Sequence, residues 1–291
     1  NRSYMKLIER KSMLIRPSGR SSDYITPSFG FGCEYKCSYC YMRRHRPYGL
    51  EIATNTQEII EAIERHSNDL IWPKIPNQTH NKYYTYDFSC NEDYVKHARH
   101  HNWRELFTYF KNSDKIMGTA ATKYVNEELL SFNPNKKVRI RFSLMPQVLA
   151  DKLEPGTSKI IDRIKAVNKF YDAGYDVHLN YSPVIIYDNA REDYKHLFKL
   201  VDKHVRDEIK QDVKCEVIFL THNTKMHDYN VEQGKLEQES LLWRPKLQET
   251  KVSSYGSVNI RYQYEFKRKS IDRFKKLHHT TLPWQEIRYI F

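Results

Sequence analysis

Cys33, Cys37 and Cys40 stand at C-x3-C-x2-C spacing in the stretch "FGFGCEYKCSYCYMRRHRPYG", in a chain with five cysteines in all. No other feature constrains the chain as strongly. Three thiolates cannot close a structural zinc site alone, because zinc takes four protein ligands; His45 or Cys90 would have to supply the fourth. The same spacing suits three irons of a [4Fe–4S] cluster with the fourth iron left open. An open iron can chelate a molecule that offers an amino and a carboxylate group together.

The rest of the composition sets bounds around that loop. With 291 residues, 40% of them hydrophobic, the chain can bury a full core as one large α/β domain or two smaller ones. No run of about 18 apolar residues occurs, so no membrane span is expected. The N-terminus "NRSYMKLIERKSMLIRPSGR" has no apolar h-region. A cytoplasmic, reducing location is therefore expected, where cysteines serve metals or catalysis rather than disulfides. The net charge of +12 favours a polyanionic partner such as nucleic acid. The 22 tyrosines offer groups that stack on bases, although most are expected in the core.

Periodicity gives an alternation of elements. Helices are expected at 55–66, 103–112, 158–175 and 189–210, and strands at 82–90, 114–123, 136–144, 176–186 and 214–222. Asn55 and Glu58 have capping-box spacing, and Gly174 is placed to stop a helix. Such an order implies a parallel sheet covered by helices, open or barrel-like. In barrels the functional loops follow the strand C-termini. Cys33, Cys90, Lys123 and Ser143 all fall at or beyond an expected strand end. Residues 225–255 are polar and poorly patterned; a strand (254–266), a basic helix (267–278) and a last strand (285–291) follow. The thirteen histidines are read as surface or core residues, with no second metal site expected, and Cys215 as core.

The motif "CEYKCSYC", with an aromatic directly before the last cysteine, resembles the radical SAM superfamily. The blocks "SCNEDYV", "AATKYV", "RIRFSLMPQVL", "LEPGTSKIIDRIKAV" and "AGYDVHLNYSPVIIYDNAREDYKHLF" are similar, in order and spacing, to the spore photoproduct lyase family within it. The resemblance implies a partial (β/α)6 TIM-like radical SAM barrel at 26–222, after a basic segment (1–25). A C-terminal β-hairpin/helix extension on the substrate side would follow at 223–291. It implies a [4Fe–4S] cluster on Cys33, Cys37 and Cys40, with S-adenosyl-L-methionine as second cofactor. Cys90 matches the family's hydrogen-atom donor, and Tyr41 a tyrosine that helps return the atom. Tyr39 matches the aromatic near the adenine. Lys123 and Ser143 match residues that contact the cofactor; Asn91, a further cofactor-side candidate, stands next to the donor cysteine, where the family has a small hydroxyl residue. The implied activity is reversal of a thymine photodimer in DNA, with a one-electron reductant such as flavodoxin or ferredoxin.

On the substrate side the resemblance weakens. Tyr255 would be a wedge or stacking platform in the hairpin, with Arg261 and Lys267 on phosphates. The family has arginine directly before that tyrosine; here Ser254 precedes it, and Arg244 is the nearby candidate to compensate. Arg43 and Arg44, in the basic block that ends at Arg46, are read either as a phosphate clamp or as a solvated turn. Two alternatives stay open from the residues: radical modification of another nucleic-acid base, and a zinc-stabilised nucleic-acid-binding module. A monomer is expected, since a duplex needs one free face.

Overall fold

The computed structural model describes residues 4–46, 49–252 and 258–291. Its centre is an eight-stranded curled half-barrel sheet. From edge to edge the strands are Ile287–Ile290, Cys215–Phe219, Asp176–Val184, Val138–Leu144, Ile116–Thr122, Tyr84–Asp87, Tyr24–Ile25 and Arg16–Pro17. All neighbours run parallel except the last pair. Helices Trp103–Asn112, Ile160–Asp172 and Ala190–His204 cover the outside. Each lies between two parallel strands in sequence, as a crossover requires.

The strand Val138–Leu144 shows how the barrel is filled. Val138, Ile140 and Phe142 turn outward, and Phe142 meets Phe170 of a covering helix with ring centroids 5.2 Å apart. Arg139 and Arg141 alternate with them as a strand period demands, yet both are buried. Arg141 reaches Asp87 (2.5 Å) on one side and Glu216 (2.6 Å) on the other, which is possible only across the concave face. This part of the barrel interior is therefore a paired ionic network, in which Arg139 and Arg141 are satisfied by carboxylates rather than by solvent.

Two small sheets flank this frame. Strand Tyr4–Ile8 pairs with Gly49–Ala53, which pairs with Gly30–Gly32 just before the cysteine loop. Thr221–Asn223, Val258–Tyr262 and Gln248–Val252 form an antiparallel sheet.

Several expectations from the sequence need correction. Residues 225–255 are not unpatterned: they hold helices Thr224–Glu232 and Leu236–Leu242 and the strand Gln248–Val252. The strand expected at 254–266 is Val258–Tyr262 among the described residues, and the basic helix starts earlier, running Tyr264–Thr281. The segment after residue 222 divides its role, because Ile287–Ile290 returns to the main sheet beside Cys215–Phe219. The capping box at Asn55 does not form. Asn55 Oδ1 instead accepts from the Arg10 amide at 2.8 Å, pinning the N-terminal segment. Gly174 does stop its helix, at φ +95°.

Candidate active site

The cysteine loop runs from strand Gly30–Gly32 to helix Met42–His45. Backbone bonds hold it on two sides: the Ser38 amide donates to Leu153 O (2.8 Å), and the Gly32 amide to Asn91 O (3.0 Å). Gly32 sits at φ +113°, and a Cβ there would lie 2.4 Å from Gly49 O, so only glycine lets the loop leave the strand. Burial, and then the Asp93 carboxylate, pushes the Cys33 thiol up to about 12; burial also raises Cys37 well above the ordinary thiol range. Such thiols ligate only when a cationic centre displaces their protons. Three free cysteines at C-x3-C-x2-C spacing on one braced loop fit an iron–sulfur cube that leaves one iron open.

Behind the loop lies a buried ionic group. Tyr39 Oη donates to Glu154 Oε1. Glu154 Oε2 pairs with Arg163 at 3.0 Å, side chains 1% and 0% exposed. Arg163 also donates to the carbonyl of Ser143 (2.7 Å), to that of Ser158 (2.9 Å) and to Thr157 Oγ1 (2.7 Å). Lys123 Nζ lies 5.7 Å from the Tyr39 ring centre. Burial works against its charge, but the Glu154 carboxylate holds it above the ordinary lysine range. Asp93 fixes the Lys123 backbone by accepting its amide at 2.9 Å. Tyr39, Lys123 and Ser143 thus meet beside Cys37 through Glu154 and Arg163, two residues that sequence reasoning missed.

On the open side, Tyr41 is 47% exposed and its Oη donates to Asn91 Oδ1 at 2.6 Å. Asn91 Nδ2 donates to Ser28 Oγ at 2.7 Å, and its backbone sits at φ 71°, which asparagine tolerates better than most residues. The adjacent Cys90 is half-buried, and Arg16 Nη2 approaches its Sγ at 3.4 Å. Burial raises the Cys90 thiol, with Asp87 adding and Arg16 opposing. Burial, then Cys90, also raises Tyr41, so the two lie within electrostatic reach. Cys90 therefore rests as a protonated thiol next to a protonated phenol.

The model of the spore photoproduct lyase family matches residues 2–291. The chain belongs to the spore photoproduct lyase family. It is 28% identical over 237 residues to the spore photoproduct lyase of Bacillus subtilis (strain 168), covering 78% of this chain and 66% of that one. It is 25% identical over 215 residues to the one of Geobacillus sp. (strain Y412MC61), covering 72% and 60%. The matches thus span about two thirds of the first relative's length and less of the second's. A solved spore photoproduct lyase complexed with dinucleoside spore photoproduct has the same fold, with TM-score 0.86 at 21% identity over 99% of this chain and 82% of that one. A mutant spore photoproduct lyase with bound AdoMet and dinucleoside spore photoproduct gives TM-score 0.86 at 20% identity over 99% and 82%.

Within this spore photoproduct lyase fold the remaining candidates are spread out. Arg261 pairs with Glu249 at 2.9 Å, across the antiparallel strands Gln248–Val252 and Val258–Tyr262. Arg244 Nη1 donates to Ile186 O at 2.8 Å, a structural bond. Lys267 lies over the Phe291 ring at 4.1 Å. Arg43 donates to Lys36 O at 2.7 Å, and Arg44 meets His45 Nε2 at 2.9 Å. Ser254 and Tyr255 lie outside the described residues. Cys215 is buried core.

Four of the histidines gather on two buried carboxylates. His97 and His101 are spaced HxxxH and converge on buried Glu92 (3.1 and 2.9 Å), whose Oε2 they share. His222 and His227 converge on Glu239. Helix spacing reveals the first pair in sequence. The second is assembled by tertiary contact. Among the described residues no helix is long and apolar enough to cross a membrane.

Proposed function

We propose that the chain is a radical SAM lyase that returns spore photoproduct, 5-thyminyl-5,6-dihydrothymine, to two thymines in DNA. The observation that carries this reading is the Cys90–Asn91–Tyr41 arrangement beside the three-cysteine loop: Tyr41 Oη bonds Asn91 at 2.6 Å, and the Asn91 carbonyl holds Gly32 at the start of that loop. A redox-neutral reversal needs a hydrogen-atom donor at one place and a route to restore it. A hydrolytic or purely binding protein needs neither.

Cys33, Cys37 and Cys40 would hold a [4Fe–4S] cluster, and Tyr39, Lys123, Ser143 and Asn91 would surround S-adenosyl-L-methionine. When bound, this pair supplies one-electron cleavage of the sulfonium and so a 5′-deoxyadenosyl radical that takes a hydrogen atom from the lesion. Lys123, kept charged by Glu154, offers the cation a carboxylate requires. The Tyr39 ring, fixed by Glu154, provides an apolar face for an adenine. After the thymine–thymine bond has broken, Cys90 Sγ–H gives its hydrogen atom to the remaining thymine radical. Tyr41 Oη–H would then restore the Cys90 thiol and would recover its own hydrogen atom from the 5′-deoxyadenosine formed when the lesion lost one, so the cycle closes with no net oxidant or reductant. Arg16 keeps the thiol aimed and adds positive charge where a phosphate would pass.

Arg43, Arg44, Arg244 and Arg261 would line the duplex side, with Tyr255, outside the described residues, as the base-stacking candidate; of these, Arg43 and Arg44 lie in the short helix directly after the cysteine loop. We take residues 26–222 as the main body of the catalytic barrel, completed by the strands Arg16–Pro17, Tyr24–Ile25 and Ile287–Ile290; 1–25 also brings Arg16 to Cys90, and the rest of 223–291 is the substrate-side extension. A flavodoxin or ferredoxin would supply the electron, and a single copy suffices for one lesion. The reading is supported by the name of the B. subtilis relative, spore photoproduct lyase. The test is an anaerobic assay of the cluster-loaded protein on dinucleoside spore photoproduct. Wild type should yield thymine. Cys90→Ala should still consume the lesion but give a different product, because the thymine radical is left without its donor. No thymine from the wild type refutes the proposal.

A further inference from the structure

We propose that His222, His227 and Glu239 form a second metal site, for a zinc-type divalent cation, in the C-terminal extension. The inference goes beyond the repair reading and does not depend on it. The three residues come from three successive elements: strand Thr221–Asn223, helix Thr224–Glu232 and helix Leu236–Leu242. Their ligand atoms all lie within 4.8 Å of one another. His222 Nε2 is 3.2 Å from each Glu239 oxygen, and His227 Nδ1 is 2.6 Å from Oε2. Bonds of about 2.0–2.1 Å in a tetrahedral zinc site separate neighbouring ligand atoms by about 3.3 Å. The His222 contact already has that separation, and the His227 contact needs to open by roughly 0.7 Å.

Two imidazoles and a carboxylate are a donor set suited to zinc, with one position left for water. The surroundings are built to hold it. His222 and Glu239 are buried (1% and 4% exposed). The His227 ring stacks on Trp243, centroids 4.1 Å apart and planes 10° apart, which turns Nδ1 inward. Asn230 Nδ2 donates to Glu239 Oε1 at 2.5 Å, the kind of bond that orients a ligating carboxylate. Asn230 itself is fully buried, and its Oδ1 has no partner among the described residues. A buried amide oxygen without a donor is costly. A metal-bound water beside the trio supplies the missing donor.

The site also reaches the cysteine loop. The same Asn230 Nδ2 donates to Ser38 O at 2.7 Å, between Cys37 and Tyr39. A cation on Glu239 thereby fixes the extension against the loop that carries the three thiols.

The test measures zinc and iron together in protein whose cluster has been reconstituted anaerobically. The loaded protein is equilibrated with zinc chloride, desalted and analysed by plasma mass spectrometry. Wild type should hold roughly one zinc per chain beyond its iron. His227→Ala and Glu239→Gln should bind zinc at least tenfold more weakly with iron content unchanged, which separates this site from zinc on the cysteines. Far-UV circular dichroism of His227→Ala, whose side chain is 21% exposed, confirms that the fold is retained. Wild type without zinc above the buffer background overturns the proposal. So does a folded His227→Ala that keeps wild-type zinc affinity.

Discussion

Glu154 is the carboxylate paired with Arg163 and the largest support for the Lys123 charge behind the cysteine loop, and Glu154→Gln tests that balance without changing volume. The pair with Arg163 is 3.0 Å long and both side chains are dry. After the substitution Arg163 keeps three neutral acceptors, Ser143 O, Ser158 O and Thr157 Oγ1, but its charge is left buried without a counter-charge. Removing one partner of a buried ion pair costs about 3–5 kcal/mol. The surface pair Lys159–Asp151 has nearly the same separation, 2.8 Å, but its side chains are 63% and 53% exposed. Asp151→Asn should cost less than about 1 kcal/mol, because water and side-chain entropy cancel most of the attraction.

The comparison is made by urea unfolding of the three cluster-loaded proteins under anaerobic conditions. Glu154→Gln should lower the unfolding free energy by about 3–5 kcal/mol and Tm by roughly 6–10 °C for a chain of this size. A second readout follows from Tyr39, whose hydroxyl gives up its charged acceptor: the KM for S-adenosyl-L-methionine should rise. A Glu154→Gln protein within about 1 kcal/mol of wild type would refute the reasoning, since the Arg163 charge would then be carried by its neutral acceptors alone.

Two further outcomes follow from buried groups elsewhere. His178 is fully enclosed; burial, then Arg139, pushes it down to about 3, against about 6.5 when unfolded. Between those values the unfolded chain binds the extra proton, so stability is complete above about pH 6.5 and declines as pH falls toward 3, at about 1.4 kcal/mol per pH unit. His178→Asn should remove that component from the pH dependence of unfolding between about pH 6 and 4, and an unchanged slope would count against it. Gly30→Ala would bring a Cβ to 2.5 Å from Glu92 Oε1, a carboxylate locked by two histidines. The substitution should cost roughly 1–3 kcal/mol and reduce iron per chain, because Cys33 follows directly on that strand; full stability with full iron would mean that Glu92 has room to move.

The barrel and the cysteine loop were legible because their signals are local. Three thiols in eight positions identify a site without any fold, and period-2 alternation marks Val138–Leu144 as a strand whichever way its arginines face. What alternation could not reveal is that the polar side is interior. Arg139 and Arg141 alternate with apolar residues in the sequence, yet Asp176, Asp87 and Glu216 pair with them inside the half-barrel. The helices between 224 and 242 were invisible for a related reason. Their inward positions carry Asn230 and Glu239, so polar residues occupy the stripe where an apolar one is sought. Arg16, Glu154 and Asn230 meet their partners across 74, 115 and 192 positions of sequence, and no local pattern encodes such contacts.

Those long-range contacts share one target. The cysteine loop is tied to the barrel by Leu153 O on Ser38 N, to the Cys90 turn by Asn91 O on Gly32 N, and to the C-terminal extension by Asn230 on Ser38 O. Each tie is a backbone bond on the loop side, so it holds position without using a cysteine or its neighbouring tyrosines. Asn91 completes the frame by holding Tyr41 with one end of its amide and Ser28 with the other. The separation between the three thiols and Cys90 is thereby set by hydrogen bonds before any ligand arrives. Radical chemistry rewards that arrangement, because a hydrogen atom moves only between centres already in contact and a loosely held donor loses the race to side reactions. The same reasoning explains why the family match runs through the extension as well as the barrel: the loop at the centre is shaped by both.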